Sequence, residues 1–188
     1  MSDRKKIHYN EKTLIAKYTV EHFIHENDII VLEGGTTVSS MINHITTHNL
    51  KILTNGLNIM IYVANYLDNI ELMCCGGMFF EKDWSFVGPQ AEAFFENYRT
   101  HKCFFGARGL TLEDGATDWN LPEIGVKKAM MRCAKTRILL IDSSKLGISS
   151  GLLAATLEDI DIIVTDKNAP VDMLDSLKSQ GIEVHIAE

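Results

Sequence analysis

The chain of 188 residues contains no apolar run approaching the roughly 20 residues that a bilayer-spanning helix needs. It also lacks basic excess: 18 Lys and Arg face 25 Asp and Glu, for a net charge of −7. A surface that holds a phosphate backbone needs clustered Lys and Arg. The small clusters Arg4-Lys5-Lys6 and Lys127-Lys128 make no basic face, so the balance argues against nucleic-acid binding by this polypeptide. The polar N-terminus has no apolar core segment, so no secretory signal is visible and a cytoplasmic location is the default expectation. Cysteine is sparse too. Cys74, Cys75, Cys103 and Cys133 match no zinc spacing, and the adjacent pair cannot bridge without strain. They read as reduced, buried thiols. His22 with His25, and His44 with His48, have helical spacing but no evident third ligand, so neither a metal nor a cofactor is expected. Neither a Walker A Gly-Lys-Ser/Thr nor a G-x-G-x-x-G fingerprint is present, which disfavours nucleotides and dinucleotides. A G-x-S-x-G elbow and a Cys-His-Asn signature are missing as well.

What is present is an alternation of strand and helix patterns. Residues 11–26 carry Leu14, Ile15, Tyr18, Phe23 and Ile24 and read as an amphipathic helix. Ile29 to Leu32 is a continuous apolar run, the pattern of a strand covered on both faces. Helix (38–48), strand (51–54), helix (to about 67) and strand (70–74) follow. Residues 78–87 show no clean period and include an exposed-looking Asp83-Trp84. A helix from Gly88-Pro89 to about Tyr98 leads to a strand at 103–106. Residues 107–122 form a long loop, the kind that tends to be functional. Helix 123–135, strand 137–142, an irregular stretch 143–157, strand 160–165, helix 170–180 and strand 183–186 complete the chain. This order predicts one α/β domain built on an open, mainly parallel sheet with helices on both faces.

Ligands of such sheets sit beyond the carboxyl ends of the strands. The first of those ends, Glu33-Gly34-Gly35-Thr36-Thr37, combines close backbone approach, hydroxyls and a following helix start. It suits an anion such as phosphate, although a tight turn with a Thr cap would look similar. The other ends supply Thr54-Asn55, Gly76-Gly77, Gly106, and Asp142 with Lys145. Asp142 and Lys145 read equally as ligands for hydroxyl and anion or as a surface turn. Glu123 and Lys127 stand one helical turn apart, which alone suggests an i,i+4 ion pair. Glu33, Glu123 and Asp142 keep acid–base chemistry open.

In order, these motifs resemble the C-terminal effector-binding domain of the DeoR family of bacterial transcriptional repressors. The family pattern appears as Glu33 to Thr37, Thr54-Asn55, Gly76-Gly77, Val87-Gly88-Pro89 and Lys102 to Gly106. It continues through Gly115-Ala116-Thr117, Glu123, Val126 to Met130, Asp142 to Lys145, and the stretch from Asp159 to Asp166. The resemblance implies a fold related to ribose-5-phosphate isomerase and coenzyme A transferases. It also implies a phosphorylated sugar as effector, a homo-oligomer, and control of a sugar-catabolism operon. By the same resemblance, operator DNA is read by a winged helix-turn-helix that precedes this domain. Residues 1–10 are then the end of a linker and 11–188 the sensor. The resemblance assigns the phosphate to Gly34, Gly35, Thr36 and Thr37, neutralised by Lys145 with Lys127 or Arg108. It assigns sugar hydroxyls to Asn55, Glu123 and Asp142, with Thr54, Gly76 and Gly77 at neighbouring strand ends, and closure to the loop 107–122. A sugar-phosphate isomerase of the same fold is the alternative. The chain departs from the family where Glu33-Gly34 replaces Asp-Ser, where Arg108 replaces an Asp, and where Gly125 replaces an acidic residue.

Overall fold

The computed structural model describes residues 6–188; Arg4, Lys5 and the first half of the expected linker lie outside the described residues. In chain order the elements are α1 (Tyr9–Phe23), β1 (Ile29–Leu32), α2 (Thr36–Ser40), β2 (Leu50–Thr54), α3 (Leu57–Tyr66), β3 (Ile70–Cys74), β4 (Met78–Phe80) and β5 (Ser85–Val87). They continue as α4 (Pro89–Glu96), β6 (Thr100–Phe105), β7 (Gly109–Thr111), β8 (Gly115–Asp118), α5 (Leu121–Cys133), β9 (Ala134–Leu140), β10 (Leu152–Ala155), β11 (Ile162–Asp166), α6 (Val171–Ser179) and β12 (Glu183–Ala187). Tyr9 and Asn10, expected in the linker, are therefore already helical. Among the described residues no helix is long and apolar enough to cross a membrane.

Seven strands form one sheet in the order β12-β11-β9-β6-β1-β2-β3, and every pairing in it is parallel. Strand alternation sends side chains to two separate cores. Ile30 and Leu32 pack with Ile15 and Val20 of α1, Val38 of α2 and Ile59 of α3. Val31 faces the other way, into a core holding Phe95 of α4, Val126 and Met130 of α5, and Leu174 of α6. This is why the run has no polar alternation: both faces are covered. Burying each such side chain contributes about 1.5–3 kcal/mol. The buried positions of α1 are 12, 15, 16, 19 and 20, a single helical face. Leu14, expected on that face, is half-exposed.

Four expectations require correction. The helix expected at 38–48 is α2, only five residues long, followed by a 3-10 turn at Met41–Asn43. Its Thr-Thr-Val-Ser-Ser sequence is a weak helix former, and the Ser39 and Ser40 hydroxyls donate back to the carbonyls of Gly34 and Thr36. Residues 78–87 form an antiparallel hairpin, with Met78 opposite Val87 and Phe80 opposite Ser85. The long loop 107–122 and the irregular stretch 143–157 are not structureless, because they pair into a second sheet in the order β10-β8-β7. Finally, Cys74 is exposed, while Cys75, Cys103 and Cys133 are buried; all four are free.

Candidate functional site

The chain runs outward from β1 in two directions, through β2 and β3 on one side and through β6, β9, β11 and β12 on the other. The carboxyl ends of β1 and β6 thus bracket the switch point of the sheet, where such folds hold their ligands. A narrow cleft opens there. It is lined by Glu33 to Thr37 after β1, Gly106 to Arg108 after β6, Asp83 from the β4–β5 hairpin, Asp118 from β8, Glu123 and Lys127 from α5, and Lys145.

The floor is the turn after β1. Gly35 caps α2 without any side-chain hydrogen bond, so the first N–H groups of that helix have no side-chain acceptor. A Cβ at Gly35 would sit 2.6 Å from Glu33 Oε2, so any larger residue here would displace the Glu33 carboxylate. Glu33 is fixed in turn by accepting the Gly106 N–H at 3.2 Å. Gly34 abuts Gly56, whose Cβ would lie 2.8 Å from the Gly34 Cα. The two turns touch backbone to backbone.

The walls carry a charge network. Lys127, almost fully buried, donates to the Gly106 carbonyl at 2.7 Å and to Asp118 Oδ2 at 2.8 Å. The i,i+4 ion pair with Glu123 suggested by spacing does not form; Asp118 outcompetes it by standing closer to the ammonium. Arg108 donates through Nε to Asp118 at 3.0 Å and through Nη2 to Asp83 at 3.2 Å, and it stacks on the Trp119 ring at 4.4 Å. Burial opposes ionisation of Asp118, but Lys127, the Trp119 N–H and Arg108 outweigh it and hold its pKa below the ordinary value. Burial also works against the Lys127 charge, yet Glu33 and Asp118 lift its pKa above the ordinary value. Glu123 has the opposite balance. Burial, then the hydrogen bond that its protonated carboxyl donates to Asp83, then the negative charge of Asp83, Glu33 and Asp118 push it up to about 8.

Eight of the thirteen expected residues line this cleft: Gly34, Gly35, Thr36, Thr37, Arg108, Glu123, Lys127 and Lys145. The other five do not line it. Asn55 braces the floor, accepting the Gly34 N–H at 2.9 Å and donating to the Phe86 carbonyl at 3.1 Å. Thr54 donates its hydroxyl to the Leu32 carbonyl at 2.6 Å. Gly76 and Gly77 turn the chain from β3 into the hairpin with φ of 61° and 103°. Asp142, 1 % exposed, sits under Lys145 at 3.2 Å, and its carboxylate accepts from Ser144. Burial opposes its ionisation, but Lys145 and Ser144 keep its pKa low. Asn55, Thr54 and Asp142 thus support the cleft rather than face it.

Sequence reasoning missed Asp83 and Asp118. Asp83 is buried, not exposed, and only its exposed neighbour Trp84 fits the first reading. The available signal was an acid set among Phe79, Trp84 and Phe86, a polar residue in an apolar hairpin.

A family model described as the DeoR C-terminal sensor domain matches residues 7–167. The HTH-type transcriptional regulator IolR of Bacillus subtilis strain 168 is 35% identical over 181 residues, 96% of this chain and 71% of that protein. The HTH-type transcriptional repressor GlcR of the same organism is 30% identical over 188 residues, spanning all of this chain and 71% of that protein. Ribose 5-phosphate isomerase from Plasmodium falciparum superposes with a TM-score of 0.53 at 16% identity, covering 75% of this chain. The match spans only 54% of that enzyme, about half its length, and shows the fold alone. The motifs, the parallel sheet with its switch-point cleft and the match over residues 7–167 agree: this chain belongs to the DeoR C-terminal sensor domain family.

Proposed function

We propose that this domain senses a phosphorylated sugar and transmits its occupancy to the DNA-binding part of a transcriptional regulator that works as a homo-oligomer. The observation that carries this reading is the convergence in one cleft of an uncapped Gly-Thr-Thr turn, the Lys145 ammonium and the carboxyl groups of Glu33 and Glu123. Backbone N–H groups and a cation suit a phosphate. The carboxyl groups, Glu33 beside the turn and Glu123 on α5, suit hydroxyls, whose rejection or acceptance gives sugar specificity. Both likenesses among curated proteins are regulators of transcription. DNA contact belongs to a segment other than this acidic domain. Effector binding then acts by favouring one DNA-binding state over another.

Thermal unfolding across a panel of sugar phosphates and their unphosphorylated parents tests the reading. A ligand at 100 times its dissociation constant adds about 2.7 kcal/mol, or about 5–10 °C for a domain of this size. The expected result is a shift with particular phosphates only, lost in Lys145→Ala. A flat panel would overturn it.

One observation favours a second reading, an isomerase. Glu123, with a pKa raised to about 8, is tuned as a general base would be. Purified protein is expected to leave ribose 5-phosphate and fructose 6-phosphate unconverted. Turnover that disappears in Glu123→Gln would replace the sensor reading with the enzyme.

A further inference from the structure

The cleft contains a contact that a ligand cannot leave intact. Asp83, at the tip of the β4–β5 hairpin, hydrogen-bonds Glu123 on α5 and accepts from Arg108 at 3.2 Å. Two carboxyl groups hydrogen-bond each other only by sharing a proton. The surrounding charges explain why one is retained: Glu33, Asp118 and Asp83 face Glu123, while Lys127 and Arg108 are already engaged by Asp118. The enclosed space between these walls is about 30 Å³, room for about one or two waters, so a hydroxyl that enters it meets these side chains directly. The hairpin that delivers Asp83 is also under local strain. Trp84, the next residue, has φ of 53°, a left-handed conformation unfavourable for a bulky residue. Its turn is nonetheless anchored, with the Trp84 carbonyl accepting from Leu57 N–H at 2.8 Å and Phe86 N–H donating to Asn55 at 2.8 Å.

We infer that Asp83 is a specificity-determining residue of the effector site: it pairs with Glu123 across the cleft, and a vicinal diol of a bound sugar phosphate takes Glu123's place. This rests on the sensor reading and adds to it a residue, a subsite and a proton. On binding, two ligand hydroxyls donate to the two carboxylates, and the proton formerly shared passes to the solvent. Arg108 is a positioning residue in this scheme. Its guanidinium is held between Asp83 and Asp118, so it aims Asp83 and leaves phosphate to the turn and Lys145.

Titration calorimetry of wild type, Asp83→Asn and Asp83→Ala tests the inference, with inorganic phosphate, glycerol 3-phosphate, ribose 5-phosphate and fructose 6-phosphate as probes. In wild type at pH 7.5, the tightest sugar phosphate is expected to release about one proton, read from the dependence of heat on buffer ionisation enthalpy. Inorganic phosphate is expected to release none through this pair. In Asp83→Asn, the preference for that sugar phosphate over inorganic phosphate should fall about tenfold, with inorganic phosphate bound as in wild type. If Asp83→Asn does not fold, the buffer dependence in wild type decides alone. Unchanged selectivity in a folded variant, or no proton release by wild type, overturns the inference while leaving the sensor reading in place. If wild type binds none of the sugar phosphates, the sensor reading falls and this inference falls with it.

Discussion

Glu123 sits among Glu33, Asp83 and Asp118, and burial with those neighbours raises its pKa to about 8. The folded protein therefore holds a proton that the unfolded chain gives up near pH 4.5. Since the native state binds more protons across that window, stability falls as pH rises from about 4.5 to 8 and levels off above. Glu123→Gln removes the penalty and keeps a donor for Asp83. At pH 8.5 the empty variant should melt about 3–6 °C above wild type, with the gain vanishing near pH 4.5, as scanning calorimetry in a series of buffers would show. Equal melting at both pH values would contradict the assigned environment. The types of charge at the site were legible from the strand ends, but their partners were not. Spacing offered Lys127 only a partner one helical turn away, whereas the fold brought Asp118 to it from the end of β8. Likewise, the place of the family's acidic residue is Gly125, and a Cβ there would meet Glu92 Oε1 at 2.5 Å. A carboxylate from α4 occupies the space that this departure leaves.

The legibility of an element followed from how many of its faces are buried. The strands of the large sheet are continuous apolar runs, because helices cover both sides, and each was readable to within about three residues of its ends. The hairpin strands have three residues each and leave Met78 and Phe79 exposed, so neither period nor burial could mark them. The second sheet pairs Gly109 with Thr117 inside one irregular-looking stretch and Leu152 with Asp118 between that stretch and another. One prediction belongs at this scale. The turns after β1 and β2 meet at Gly34 and Gly56, where a Cβ on Gly56 would sit 2.8 Å from the Gly34 Cα. Backbone has to move to admit it. Gly56→Ala should cost about 1–3 kcal/mol in urea unfolding and weaken binding of inorganic phosphate about tenfold by displacing the anion floor. Retained affinity would show that the floor tolerates the shift.

For the whole molecule, strand order decides where function can reside. Two outward progressions from β1 leave a gap in connectivity at its carboxyl end, and the charged groups of the cleft reach that gap from six segments: the turns after β1, β6 and β9, a hairpin, the second sheet and α5. The motifs revealed the location, because Gly, Thr and Lys recur at successive strand ends. They could not reveal how closely the hairpin and α5 approach each other across it. The closeness of that approach has a consequence in time. A ligand that must wait for the hairpin to part from α5 cannot associate faster than the wall opens. In stopped-flow mixing the observed rate should therefore rise with ligand concentration and then reach a ceiling, rather than climb in a straight line. Trp84 and Trp119, the chain's two tryptophans, lie beside Asp83 and Arg108 and would report the event by fluorescence. The ceiling should be the same for every sugar phosphate that binds, because it belongs to the protein: a sensor whose affinities differ between sugars would respond to all of them with one clock.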